Sequence, residues 1–113
     1  MTWDYLPTMP TPRRNVGVIA AAGKIYVIGG NDEQGKYYAT VESFNPTTYA
    51  WESCPKMNTA RSSVGVATLN ESIYVFGGED STQSRTDEFE IYATAKKSWY
   101  RVRNIEGIQE NSN

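Results

Sequence analysis

The stretch Ile25-Tyr26-Val27-Ile28-Gly29-Gly30 recurs as Ile73-Tyr74-Val75-Phe76-Gly77-Gly78, 48 residues further along the chain. The same spacing separates Arg13 from Arg61, Gly17 from Gly65, and Trp3 from Trp51 and Trp51 from Trp99. Laying residues 3–51 on 51–99 gives 16 identities with no gap. A fixed period of this length is the signature of propellers and solenoids, whose supersecondary units bury their apolar faces only against one another.

Each unit reads as four short strands. The first is expected over Asn15 to Ala21 and again over Ser63 to Leu69; Ala22-Gly23 and Asn70-Glu71 follow at tight-turn positions. The second runs from Lys24 to Gly29, with Ser72 to Gly77 as its counterpart. Its core, Ile25 to Ile28, is continuously apolar, as expected of a strand covered on both faces by flanking blades. The third is about Thr40 to Phe44 and Glu88 to Tyr92, and the fourth surrounds Trp51 and Trp99. β-Branched and aromatic residues concentrate in these runs, with Gly, Pro, Asn and Asp between them. The expected fold class is all-β: two four-stranded antiparallel blades plus an extra N-terminal outer strand, an incomplete propeller. The expected divisions are an outer strand of a preceding blade at 1–7, blades at 8–54 and 55–103, and a polar C-terminal tail at 104–113. Two blades do not close a ring, because propellers take about four to eight. The expectation is therefore completion by further blades or self-association through the apolar end faces.

Composition narrows the function. Net charge is −2 and mean hydropathy −0.57, so no cationic surplus exists to neutralise phosphates, and nucleic acid is not an expected partner. The longest apolar run, Val16 to Ala22, falls far short of the roughly 20 residues of a membrane-spanning helix, so no membrane partner is expected. One cysteine, Cys54, permits no intrachain disulfide, which points to a reducing compartment and a cytoplasmic location. Cys54 aligns with Leu6 and reads as a small apolar filler. The sequence holds no histidine, which removes the commonest general base and metal ligand, so neither an enzyme nor a cofactor or metal site is expected.

The Gly-Gly pair closing the second strand, a tyrosine downstream at Tyr37 and a tryptophan near the unit's end at Trp51 resemble the kelch repeat. Phe44-Asn45-Pro46 stands where kelch-like proteins have a Tyr-Asp-Pro-like turn, and Met9, Arg13, Met57 and Arg61 also fit that family. The likeness covers about residues 3–100. The second unit departs at Arg85, which replaces the tyrosine, and at Ala93-Thr94, which replaces Asn45-Pro46. The resemblance implies a β-propeller that binds a protein partner or peptide segment, related to substrate recognition for cullin-type ubiquitin ligases. The BTB and BACK domains of such adaptors are not seen in these residues, so the chain is expected to hold substrate without recruiting a ligase. Actin or cytoskeletal binding is the alternative, and a kelch-fold enzyme is disfavoured by the missing histidine.

Residues that keep the period read as scaffold: Gly29, Gly30, Gly77, Gly78, Trp3, Trp51 and Trp99; Tyr37, replaced by Arg85 in the second unit, is structural by what the resemblance implies. Arg13 and Arg61 recur in register and read as side chains that hold loop carbonyls. Antiparallel pairing places the start of strand one beside the end of strand two. One rim should thus gather Arg14 and Asn15 with Asn31 and Asp32, and Ser63 with Glu79 and Asp80. These residues, with the non-recurring Tyr38 and Arg85, are the expected partner-binding set. The two units differ most in the loops Asn31 to Ala39 and Glu79 to Asp87, the pattern of variable contacts on a common scaffold.

Overall fold

A computed structural model describes residues 13–102. Trp3, Met9, the outer strand expected at 1–7 and the tail at 104–113 lie outside the described residues. Ten strands follow one another: β1 Gly17–Ala21, β2 Lys24–Ile28, β3 Val41–Asn45, β4 Ala50–Cys54, β5 Arg61–Ser62, β6 Gly65–Leu69, β7 Ser72–Phe76, β8 Glu79–Asp80, β9 Phe89–Ala93 and β10 Ser98–Val102. They form an antiparallel sheet β1-β2-β3-β4, a second sheet β6-β7-β9-β10 and a two-residue ribbon β5-β8. The described chain is all-β, and its two meanders are kelch-type blades of an unclosed propeller.

Turn chemistry sets the registers. Ala22 and Gly23 both take positive φ (50° and 76°), as do Asn70 and Glu71 (52° and 65°). Two such residues make the hairpin turn whose twist matches the strands, so Ala21 pairs with Lys24 and Leu69 with Ser72. In the outer hairpin of the first blade the Tyr49 amide donates to the Asn45 carbonyl at 2.6 Å. The Asn45 side chain accepts from the Thr47 amide at 2.9 Å. The second blade lacks Asn-Pro, yet the Lys97 amide donates to the Ala93 carbonyl at 2.8 Å and the β9–β10 register is complete. The left-handed residue at the turn's end, Tyr49 or Lys97, carries the reversal in both blades.

The first strand begins later than expected. Asn15 (φ 57°) and Ser63 (φ 56°) are left-handed, which breaks the extended backbone before Gly17 and Gly65. The second strands stop at Ile28 and Phe76 because Gly29 and Gly77 also turn left-handed.

The blades stack face to face, and the core lies between them. Ala21, Tyr26, Ile28 and Val41 of the first blade meet Ile73, Val75 and Tyr92 of the second, with Met57 from the connection; Ile19, Cys54, Val66 and Trp99 pack around this cluster. Tyr26 and Tyr92 make an edge contact with centroids 6.0 Å apart. The apolar run of β2 is covered on both sides at Tyr26, Val27 and Ile28, while Ile25 is exposed. In β7 only one side is covered: Ile73 and Val75 are buried, whereas Phe76 is 42% exposed. Among the described residues no blade lies beyond the second, which is why that face stays open.

Candidate functional site

The rim is built on two buried arginines. Arg61 donates to the Gly77 carbonyl at 3.0 Å and to the Glu88 carbonyl at 2.8 Å, and pairs with Glu90 at 2.9 Å. Both side chains of that ion pair are fully buried. Arg13 repeats the arrangement 48 residues earlier, donating to the carbonyls of Gly29 and Thr40 and pairing with Glu42 at 2.8 Å. The guanidinium thus fastens the exit of the second strand to the entry of the third, as the recurrence of both arginines implied. Burial pulls the Arg61 pKa below its usual value, against the attraction of Glu90 and Glu88. The carboxylate partners are the residues sequence reading passed over. Glu42 and Glu90 are themselves an in-register identity, and that was the available signal.

Backbone bonds join the blades along this rim. The Gly30 amide donates to the Arg61 carbonyl at 2.9 Å, Arg61 to Tyr38 at 3.1 Å, Met57 to Ala39 at 2.9 Å and Ser63 to Asn15 at 2.8 Å. A Cβ on Gly29 would collide with the Arg61 carbonyl, and one on Gly30 would sit 2.7 Å from the Arg14 carbonyl. The Gly-Gly pair is therefore needed both for its positive φ and for close approach. Trp99 reaches back across the junction and donates through Nε1 to the Pro55 carbonyl at 2.7 Å. Trp51 packs on Phe44 with ring centroids 5.3 Å apart.

The expected contact set assembles on this frame. Arg14 and Asn31 exchange both backbone bonds at 2.9 Å, and the Asn15 side chain donates to that of Asn31 at 2.9 Å. Arg61 pairs with Asp80 and Ser62 with Glu79 in the β5–β8 ribbon, and Ser63 adjoins it on the exposed edge. Arg13, Arg14, Asn31, Asp32, Glu33 and Gln34 line a cleft of about 390 Å³. Arg14 and Arg85 are exposed, and Arg85 bridges to Glu79 through backbone as Tyr37 does to Asn31.

Several of these polar groups are occupied within the loops. The Asp32 carboxylate accepts from the amides of Gln34 (3.0 Å) and Lys36 (2.9 Å) and from the Tyr38 hydroxyl (2.8 Å). Those bonds, the Lys36 amide foremost, hold its pKa below the usual carboxylate value and raise that of Tyr38. Asp80 is held likewise by the hydroxyl and amide of Thr82, which lower its pKa. Tyr37 donates to Glu79 of the next blade at 2.8 Å, which raises the tyrosine's pKa and spans the junction between blades. Asp32 and Asp80 shape their loops, and Arg14, Glu33 and Arg85 are left projecting at the surface. No group of three His, Cys, Asp or Glu side chains suited to a metal ion occurs among the described residues.

The four-stranded meanders, the left-handed Gly-Gly exits and the rim fastened by arginine define a repeat propeller of the kelch type. The family model for the KLHDC2/KLHL20/DRC7 Kelch-repeats domain matches residues 1–111, and the chain belongs to that family. It is 45% identical over 49 residues to an F-box/kelch-repeat protein of Arabidopsis thaliana, covering 42% of this chain and 14% of that protein. It is 40% identical over 45 residues to mouse Kelch-like protein 8 (40% and 7%) and 35% identical over 46 residues to mouse Kelch-like protein 35 (41% and 8%). The matched segments span only a small part of those relatives' length.

Proposed function

We propose that this chain is a non-enzymatic protein-interaction module whose rim takes a peptide segment of a partner protein. The observation that carries this reading is the rim itself. Loops of unequal sequence, Asn31 to Ala39 and Glu79 to Asp87, are held side by side on identical arginine-fastened exits. A rigid frame with variable exposed loops is the usual arrangement for recognition. The cleft between Arg14 and the Asp32–Gln34 loop gives a partner a concave seat, and Arg14 and Arg85 supply exposed cations for acidic side chains. Kelch family membership and the absence of histidine support the non-catalytic assignment.

By family resemblance the setting is substrate recognition for a cullin-type ubiquitin ligase in the cytoplasm. The test is a peptide-display selection on the full chain, followed by binding measurements on the Arg14→Ala and Arg85→Ala variants. Selected peptides should be acidic and lose affinity about 5- to 150-fold per arginine, as expected when a charge contact worth ~1–3 kcal/mol is removed. Selected peptides whose affinity is unchanged by both substitutions would place recognition elsewhere.

A further inference from the structure

We propose that the cleft beside Arg14 selects a dipolar partner segment, one that brings an acidic side chain to Arg14 and a basic side chain to Glu33. The inference rests on the reading of the rim as a peptide seat and names the chemistry of what enters it. Its basis is the set of side chains that the cleft leaves unengaged.

Arg13, Arg14, Asn31, Asp32, Glu33 and Gln34 line the cleft of about 390 Å³. That volume lies in the range of small-ligand sites, ~300–1,000 Å³, so it takes a few side chains and not a folded domain. Half of the lining is already committed. The Arg13 side chain is fully buried and paired with Glu42. The Asn31 side chain accepts from Asn15 at 2.9 Å. The Asp32 carboxylate accepts from two amides and the Tyr38 hydroxyl. Lys36, the other cation of this loop, lies over the Tyr38 ring, 5.1 Å from its centroid. Arg14, Glu33 and Gln34 remain, all of them exposed. The ion pairs among the described residues are Arg13–Glu42, Lys24–Glu52, Arg61–Glu90 and Arg101–Glu88, so Arg14 and Glu33 do not neutralise each other. One unengaged cation and one unengaged anion line the same concavity.

Both charges stand on fixed backbone. Arg14 exchanges two backbone bonds with Asn31 at 2.9 Å. Glu33 sits in a turn closed by the Gly35 amide on the Asp32 carbonyl at 3.2 Å and by the Asp32 amide on the Lys36 carbonyl at 3.0 Å. Binding therefore has little backbone left to order. A segment carrying acids alone would satisfy Arg14 but bring a like charge to Glu33, which selects against it. A base beside the acid turns that repulsion into attraction. The pair also breaks the repeat. Asp32 recurs as Asp80, and both fasten their loops, whereas Ser62 replaces Arg14, Ser81 replaces Glu33 and Thr82 replaces Gln34. The second loop lacks this pair of charges, so selection for a base belongs to the first blade alone.

The test is a random-peptide display library selected in parallel on the full wild-type chain, on Glu33→Gln and on Glu33→Lys. Peptides selected on the wild type should pair an acidic residue with a nearby Lys or Arg. Those selected on Glu33→Lys should lose the base and gain a second acid. Fluorescence anisotropy then compares one wild-type peptide with the forms in which its base is changed to Ser or to Asp. Loss of the base should weaken binding to the wild type about 5-fold, the scale of one exposed ion pair. With Glu33→Gln the original and the Ser form should bind equally. With Glu33→Lys the order should invert, the Asp form binding best, which a merely structural role of Glu33 would not produce. Circular dichroism of both variants checks that they fold, and Glu33→Gln is the milder of the two. Wild-type peptides that need no base overturn the inference and leave the peptide-seat reading standing, as does an unchanged ranking in Glu33→Lys. A library that yields no binder to the wild type overturns both.

Discussion

At the scale of single residues, Arg61 and Glu90 dominate. Both are fully buried, joined at 2.9 Å, and Glu90 also accepts from the Asn58 amide at 2.9 Å and side chain at 3.0 Å. Burying two charges is tolerated only when each has partners, and removing one partner strands the other. Glu90→Ala should therefore destabilise the fold by ~3–5 kcal/mol in urea unfolding. Glu52, paired with Lys24 at 3.0 Å in an exposed position, should be nearly silent when changed to alanine. Equal effects at the two sites would contradict the assigned importance of burial. Tyr92 gives a second handle. Burial between the blades raises its pKa to about 12. A folded-state value above the unfolded one means the contribution is complete below about pH 10 and is lost as pH rises through about 12. Tyrosinate absorbance should show a late-titrating hydroxyl, and alkaline unfolding should fall in that window; in Tyr92→Phe the late group disappears.

At the scale of elements, the strand exits and loops decide the geometry. Gly29 and Gly77 share a left-handed φ, so alanine at either position costs ~1–2 kcal/mol for backbone strain. A Cβ on Gly29 would collide with the Arg61 carbonyl, whereas one on Gly77 would come no closer than 3.9 Å to the Thr86 carbonyl. Gly29→Ala should thus lower the urea midpoint clearly more than Gly77→Ala. The Asp32 loop should respond to acid. Its carboxyl pKa is held below the usual carboxylate value by the amides of Lys36 and Gln34 and by Tyr38. The loop's order is complete above about pH 4 and is lost as pH falls through that lowered value. Amide NMR shifts of Gln34 and Lys36 should move together in that range, and in Asp32→Asn they should not. The strands, tight turns and Gly-Gly exits were legible, because periodicity and positive-φ residues are local signals. The ion-pair carboxylates were not picked out, since Glu42 and Glu90 sit in alternating strands where a charge ordinarily reads as a solvated face.

At the scale of the whole molecule, the core lies between the blades, and neither described sheet buries its apolar face alone. Far-UV circular dichroism and tryptophan fluorescence should therefore report one unfolding transition, with coincident midpoints. Two separated transitions would show blades that fold independently. Ile73, fully buried at the junction, should cost ~2–5 kcal/mol when changed to alanine, and the loss should move both probes together.

The sequence by itself determined the period, the all-β class, the kelch resemblance and the two arginines as scaffold, because each depends on spacing or on local backbone chemistry. Only the tertiary structure decided where the charges balance and which faces are covered. Glu42 and Glu90 become ion-pair partners because the third strand passes beneath the arginine. Asp32 and Asp80 become loop fasteners because their own backbones fold over them. The run Ile25 to Ile28 and its counterpart in β7 look alike as sequence. Burial separates them, since one has a blade packed on it and the other keeps Phe76 in water.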